Sequence, residues 1–159
     1  QASIAQDACT ACRIFGGPSL ASHVVIGDAL PLDDVSIERR DGVAIDRDSG
    51  RAFEKRKYDY EVVPAGTRYR LRLVLNELED REEGAVLQGL ELLAQGFARL
   101  GGFKSRGLGE VSLEDVKVQV LSLKGKQLHK EQPAWDKFNQ DRLAAFAKWC
   151  AEATEGTHA

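Results

Sequence analysis

A chain of 159 residues, 43% of them hydrophobic, can bury one sizeable core and is short for two. Its 22 basic and 25 acidic residues leave a net charge of -3, which excludes a chain-wide pull toward nucleic acid or an anionic membrane; any such affinity has to come from local clusters. No apolar run is long enough for a membrane span and the first residues lack the order of a secretory signal, so the expectation is a cytoplasmic protein with no membrane partner.

The chain opens on Gln1 and contains no methionine, which suggests a portion of a longer polypeptide. Residues 1–18 carry small residues, a Gly-Gly-Pro break and the pair Cys9 and Cys12, and read as an irregular knuckle ahead of a main domain over 19–159. Two-residue spacing lets neighbouring thiolates share one tetrahedral zinc, with His23 as a local third ligand; two buried cysteines explain the same residues equally well. Cys150, in a helical pattern, reads as core.

"HVVIGDAL" (23–30) and "DVSIERR" (34–40) are expected strands. The turn signals Asp41-Gly42 and Asp48-Ser49-Gly50 then mark a solvated hairpin over 38–62. It gathers Arg47, Arg51, Lys55, Arg56 and Lys57 around Phe53; acids are as frequent there as bases, so a plain solvated charge run is the competing reading. "TRYRLRLVLNEL" (67–78) alternates cleanly and predicts a strand with Arg68, Arg70 and Arg72 on its outer face. From Glu82 to Leu100, Val86, Leu90, Leu93, Phe97 and Leu100 form the stripe of an amphipathic helix, with Gly101-Gly102 as its stop. Residues 110–123 alternate as a further strand through Val116, Val118 and Val120, and a Lys-rich turn follows. A last helix over 133–152 starts at Pro133 and carries Trp135, Phe138, Leu143, Phe146 and Trp149. The class is α+β, and the β-α-β step suggests a ferredoxin-like sheet with helices on one face.

The stretch "GGFKSRGLGEV" (101–111) is neither a P-loop, since Lys104-Ser105 leads into a strand and not a helix, nor a dinucleotide fingerprint. What remains is a loop whose Gly101, Gly102, Gly107 and Gly109 allow unusual dihedrals and outward amides, with Lys104 and Arg106 supplying charge. That combination suits a sugar-phosphate backbone held without base reading; the alternative is a simple tight turn. Asp28, Asp33 and Asp34 are ordinary strand-end acids and make a poor metal-hydrolysis pair.

This last stretch resembles the GGxxSRGxGxV motif of the RAMP superfamily, the RNA-binding proteins of CRISPR antiviral defence. "CTACRIFGG" is similar to the CxxCxxFG segment of the Cas-seven-type backbone subunits of type III effector complexes, and 43–73 to their thumb and following strand. The resemblance covers roughly residues 7–111. It implies an RRM-like sheet with a thumb-like hairpin and a zinc-knuckle insertion, and a chain that begins after the family's first strand, first helix and RNA-cutting aspartate. It also implies RNA binding by Gly102, Lys104, Ser105, Arg106 and Gly107, and displacement of guide-target bases by a thumb carrying Arg47, Arg51, Phe53 and Lys55. Cys9 and Cys12 become zinc ligands, and the whole subunit becomes a Mg2+-supported endonuclease. The partners implied are CRISPR RNA, target RNA, neighbouring effector subunits or fused domains, and the missing N-terminal part of the domain. The alternative within the superfamily is a metal-independent endoribonuclease that processes precursor RNA with His23 or His129 as base.

Overall fold

The structure is a computed structural model that describes residues 8–155, the side chains of 53–56 and 154–155 excepted. The described residues form a mixed α+β fold of three α-helices and mostly antiparallel two-stranded sheets. The described residues divide into two units: the chain up to Val24 together with the chain from Leu75 onward, and Val25–Val74.

In the first unit, helix α1 (Thr10–Phe15) replaces part of the irregular segment expected over 1–18. Cys9 caps its start and Gly16, at φ 84°, ends it; a side chain at Gly16 would meet the main chain of Leu20 and Ser22. Helix α2 (Asp80–Ala94) starts where the Glu82 carboxylate accepts the Glu79 N–H at 3.1 Å, half of a capping box. It buries Glu82, Gly84 and Leu87. The helix stops six residues before the expected Leu100, because Gly96 takes the left-handed conformation (φ 77°) and Ala98 N–H bonds back to the Leu92 carbonyl at 3.0 Å. Phe97, in line with the helical stripe, is therefore left 80% exposed.

Helix α3 (Trp135–Glu155) packs against α2. The contact is close because Gly84 carries no side chain: a Cβ there would strike the Arg142 carbonyl and crowd Phe146. Arg142 locks the pair by bonding Glu83 through Nε and Asp80 through Nη1 at 3.2 Å, with its guanidinium 4.8 Å from the Phe138 ring centre. Phe146 and Trp149 lie 6.0 Å apart on the same half-buried face, and Arg81 stacks on Trp149.

The strand expected over 110–123 is realised only in part. Val116, Val118 and Val120 are half-buried in alternation, as the pattern requires, but 110–119 find no ladder partner and bend at Asp115, whose φ is 51°. Pairing begins at β7 (Val120–Lys124) with β8 (Gln127–Glu131), and the sequence reading took β8 for a turn.

In the second unit, β1 (Val24–Ile26) pairs with β6 (Leu73–Leu75) where the chain enters and leaves it, and β2 (Leu30–Pro31) pairs with β5 (Tyr69–Arg70). The single strand expected over 67–78 is thus two pieces. Its partner breaks at Gly27-Asp28-Ala29, so the ladder breaks with it at Leu71-Arg72. The expected hairpin is β3 (Glu38–Ile45) with β4 (Ala52–Val62), in register from Glu38↔Val62 to Val43↔Lys57 and irregular between Val43 and Ile45. Its tip is an Asx turn in which Asp46 accepts Ser49 Oγ at 2.7 Å and Asp48 N–H at 3.3 Å, bonds that hold the Asp46 carboxyl below its ordinary pKa.

Gly84→Ala will force α2 and α3 apart. The gain in helix propensity is under about 1 kcal/mol, whereas overpacking a close contact costs about 1–3 kcal/mol, so the urea midpoint falls.

Candidate nucleic-acid interface

The loop after α2 is closed at its neck and open at its tip. Leu100 N–H bonds the Gly109 carbonyl at 2.9 Å, drawing the two ends together. Gly109 is required there twice over: its φ is 85°, and a Cβ would collide with the Leu100 carbonyl. Between the ends, Lys104–Arg106 form one 3-10 turn flanked by left-handed Phe103 (φ 53°) and Gly107 (φ 86°). A bulky residue in that region costs roughly 1 kcal/mol, which is offset locally. Arg106 N–H bonds the Phe103 carbonyl at 2.9 Å, the Arg106 guanidinium lies 5.1 Å from the Phe103 ring centre, and Arg99 Nη1 donates to the Lys104 carbonyl at 3.3 Å.

All residues from Gly101 to Gly107 are exposed, so Gly102, Lys104, Ser105, Arg106 and Gly107 stand together on one projection. Nothing lies within contact distance of a Cβ at Gly101, Gly102 or Gly107. Among the described residues no ion pair neutralises Lys104, and the Arg106 guanidinium stacks on the Phe103 ring. The loop presents bare main chain to solvent, with the side chains of Lys104 and Arg106 exposed on it.

The hairpin of the second unit pairs much of its charge internally. Arg39 pairs with Asp59 at 3.1 Å, Arg40 with Glu38 at 3.2 Å, and Lys57 with Asp41 at 2.8 Å. Arg47 and Arg51, at the tip, are exposed and unpaired among the described residues. Phe53 and Lys55 fall among the side chains outside the described set.

Cys9 Sγ accepts the Cys12 N–H at 3.4 Å, and this main-chain bond lowers the Cys9 thiol below its ordinary pKa, while hydrogen bonding to Cys9 raises Cys12. The two thiols are neighbours, shifted in opposite directions by the one contact. Among the described residues no group of three or more Cys, His, Asp or Glu side chains is arranged to hold a metal. His23 is committed elsewhere: its Nδ1 donates to the Asn76 carbonyl at 2.8 Å, on the wall of a cavity of about 270 Å3 also lined by Arg13, Glu77 and Glu82. Arg13 is already bound to Glu82 at 2.8 Å, so the cavity carries more negative than positive charge and repels a phosphodiester. His129 sits half-buried on β8, and Asp33 is paired with Arg68 at 3.1 Å.

Two glycines separate shape from ligand contact. Gly109→Ala opens the neck and lowers both stability and RNA affinity; Gly102→Ala meets no neighbour and needs no left-handed dihedral, so it leaves the unfolding free energy within about 0.5 kcal/mol of the parent. An affinity loss in Gly102→Ala at unchanged stability reports a ligand at the main chain.

No curated relative matches the chain. A model of the RAMP superfamily matches residues 2–112, which takes in Cys9 and Cys12, the β3–β4 hairpin, α2 and the whole closed loop. By a match over that much of its length, the chain belongs to the RAMP superfamily, whose members are CRISPR-associated RNA-binding proteins.

Proposed function

We propose that the chain is an RNA-backbone-holding component of a type III CRISPR effector, of the Cas-seven type, and that the 101–109 loop is where it grips the guide. The observation that carries this is the loop itself: a pinched neck, an exposed 3-10 turn, open glycines, and the exposed basic side chains of Lys104 and Arg106. Amides and point charges of this kind bind phosphates in register and read no base, which suits a guide whose sequence is read by pairing. The tip of the β3–β4 hairpin, with Arg47 and Arg51, is the thumb in this reading and meets the guide-target duplex. The ferredoxin-like arrangement of the family would draw the separate strand pairs into one sheet.

Cys9 and Cys12 would hold a structural zinc with ligands from elsewhere, the lowered Cys9 thiol favouring the bound form. Zinc then copurifies, and Cys9→Ser with Cys12→Ser removes it; a metal-free sample that stays folded ends this part of the reading. In the whole subunit, target cleavage depends on a divalent metal and stops in EDTA, whereas a processing endoribonuclease would persist.

Replacing Lys104 and Arg106 by alanine removes about two phosphate contacts. The slope of log affinity against log salt on single-stranded RNA falls by about 1.4, with every base composition affected alike. A loop that only turns the chain would leave both affinity and slope where they were.

A further inference from the structure

We infer that the β7–β8 hairpin is a second RNA contact, gripping an unpaired stretch of strand through three lysines and a face of leucines. The inference shares its ligand with the reading above but stands on a different element, outside the 2–112 span of the family match.

The register fixes which side chains share a face. Leu121 opposes Lys130 and Leu123 opposes Leu128; the other face takes Val120 with Glu131, Ser122 with His129 and Lys124 with Gln127. An isolated amphipathic hairpin turns its apolar face inward. Here the burial is reversed: Ser122 and His129 are half-buried, while Leu121, Leu123 and Leu128 are 59%, 74% and 66% exposed. Three leucines on one short face in water are an unmet demand for a partner.

The charges around them say which partner. The two-residue connection Gly125-Lys126, with Gly125 at φ 66° in the first position, puts Lys124 and Lys126 at the tip, and Lys130 stands on the leucine face itself. All three lysines are exposed and form no ion pair among the described residues; the only carboxylate on the hairpin is Glu131, at its base. On the β3–β4 ladder, by contrast, carboxylates opposite or beside Arg39, Arg40 and Lys57 already neutralise them. A polyanion with exposed apolar faces satisfies both halves of the β7–β8 surface: phosphates meet the ammonium groups and unstacked bases lie on the leucines. A duplex hides its base faces, so the ligand is single-stranded. From Gly109 to Val120 the chain reaches at most about 40 Å, so one strand can run from the loop to the hairpin.

The test uses the full chain and a fluorescent uridine homopolymer, with anisotropy followed over a range of potassium chloride. Changing Lys124, Lys126 and Lys130 together to glutamine lowers the salt slope by about 2, and Leu123→Ser with Leu128→Ser weakens binding about fivefold at unchanged slope. Ultraviolet crosslinking of the unaltered chain then places uridine on residues 120–131. If the Lys104 and Arg106 variant loses slope while the hairpin variants match the parent and no crosslink falls on 120–131, the hairpin proposal is overturned and the loop reading stands. The converse pattern upholds the hairpin and removes the loop. Leucine variants that alter only self-association, with the lysine variants silent toward RNA, make the face a protein contact and overturn the proposal.

Discussion

The Glu82 carboxylate is buried to 4% exposure, and the first unit is organised around satisfying it. A lone carboxylate taken out of water costs several kcal/mol, which geometry has to recover. Glu82 recovers it twice: by accepting the Glu79 N–H, which sets the start of α2, and by pairing with Arg13 at 2.8 Å, which ties α1 to α2. Those two bonds fix the ends of the chain that matter. Cys9 and Cys12 ride on α1, and the closed loop hangs from the far end of α2. Gly84, one turn or less beyond Glu82, then lets α3 seat against the same helix, so that one residue's desolvation cost orders all three helices.

Charge is distributed by a similar rule. The chain is net acidic, yet its carboxylates are placed where they silence particular cations: Asp59 and Asp41 on the β3–β4 hairpin, Asp33 on Arg68, Asp80 and Glu83 on Arg142. The Asp41–Lys57 pair shows the direction of the effect. Hydrogen bonding to Lys57 holds Asp41 below its ordinary pKa, so its contribution is complete above the unfolded value and is lost as pH falls through the lowered one. Lys57 is raised by the same bond, so its contribution is complete below the unfolded value and fades as pH rises through the raised one. The pair is exposed and its worth is small, but it spans the neutral range and keeps those charges occupied. Among the cations without an ion pair in the described residues, those at 104, 47, 51, 124, 126 and 130 stand on projecting loops and hairpins, where a polyanion meets little competition.

Much of this was legible in the residues. Gly-rich main chain beside Lys104 and Arg106 announced the loop, and the β3–β4 hairpin followed from its two turn signals. Periodicity failed where tertiary partners decide the outcome. The stripe Val86 to Leu100 continued past the true end of α2 because a hydrophobic period does not register the left-handed preference of Gly96. Alternation over 110–123 named the inward residues correctly but could not supply a ladder partner. β8 was hidden because its apolar residue, Leu128, lies among lysines; the signal that would have found it is Gly125 between two lysines, the first position of a tight hairpin turn. Glu82 as a hub was beyond sequence reasoning, since nothing in a first-turn glutamate says that it will be buried.

The combination of few buried hydrophobics and many exposed ones now has a physical use. Among the described residues only Ile14, Val24, Val62 and Leu87 are large apolar residues that are buried, while leucines, isoleucines and phenylalanines stand exposed in both units. A module that held RNA through two or three lysines alone would bind weakly and lose most of that grip to physiological salt. If apolar faces are covered when neighbours assemble along one strand, each added contact acts at high effective concentration, and many weak phosphate grips sum to a tight one. Exposed apolar surface outside the β7–β8 hairpin and unpaired lysine are then two parts of one arrangement: the first makes assembly favourable, and the second makes RNA the scaffold on which it happens.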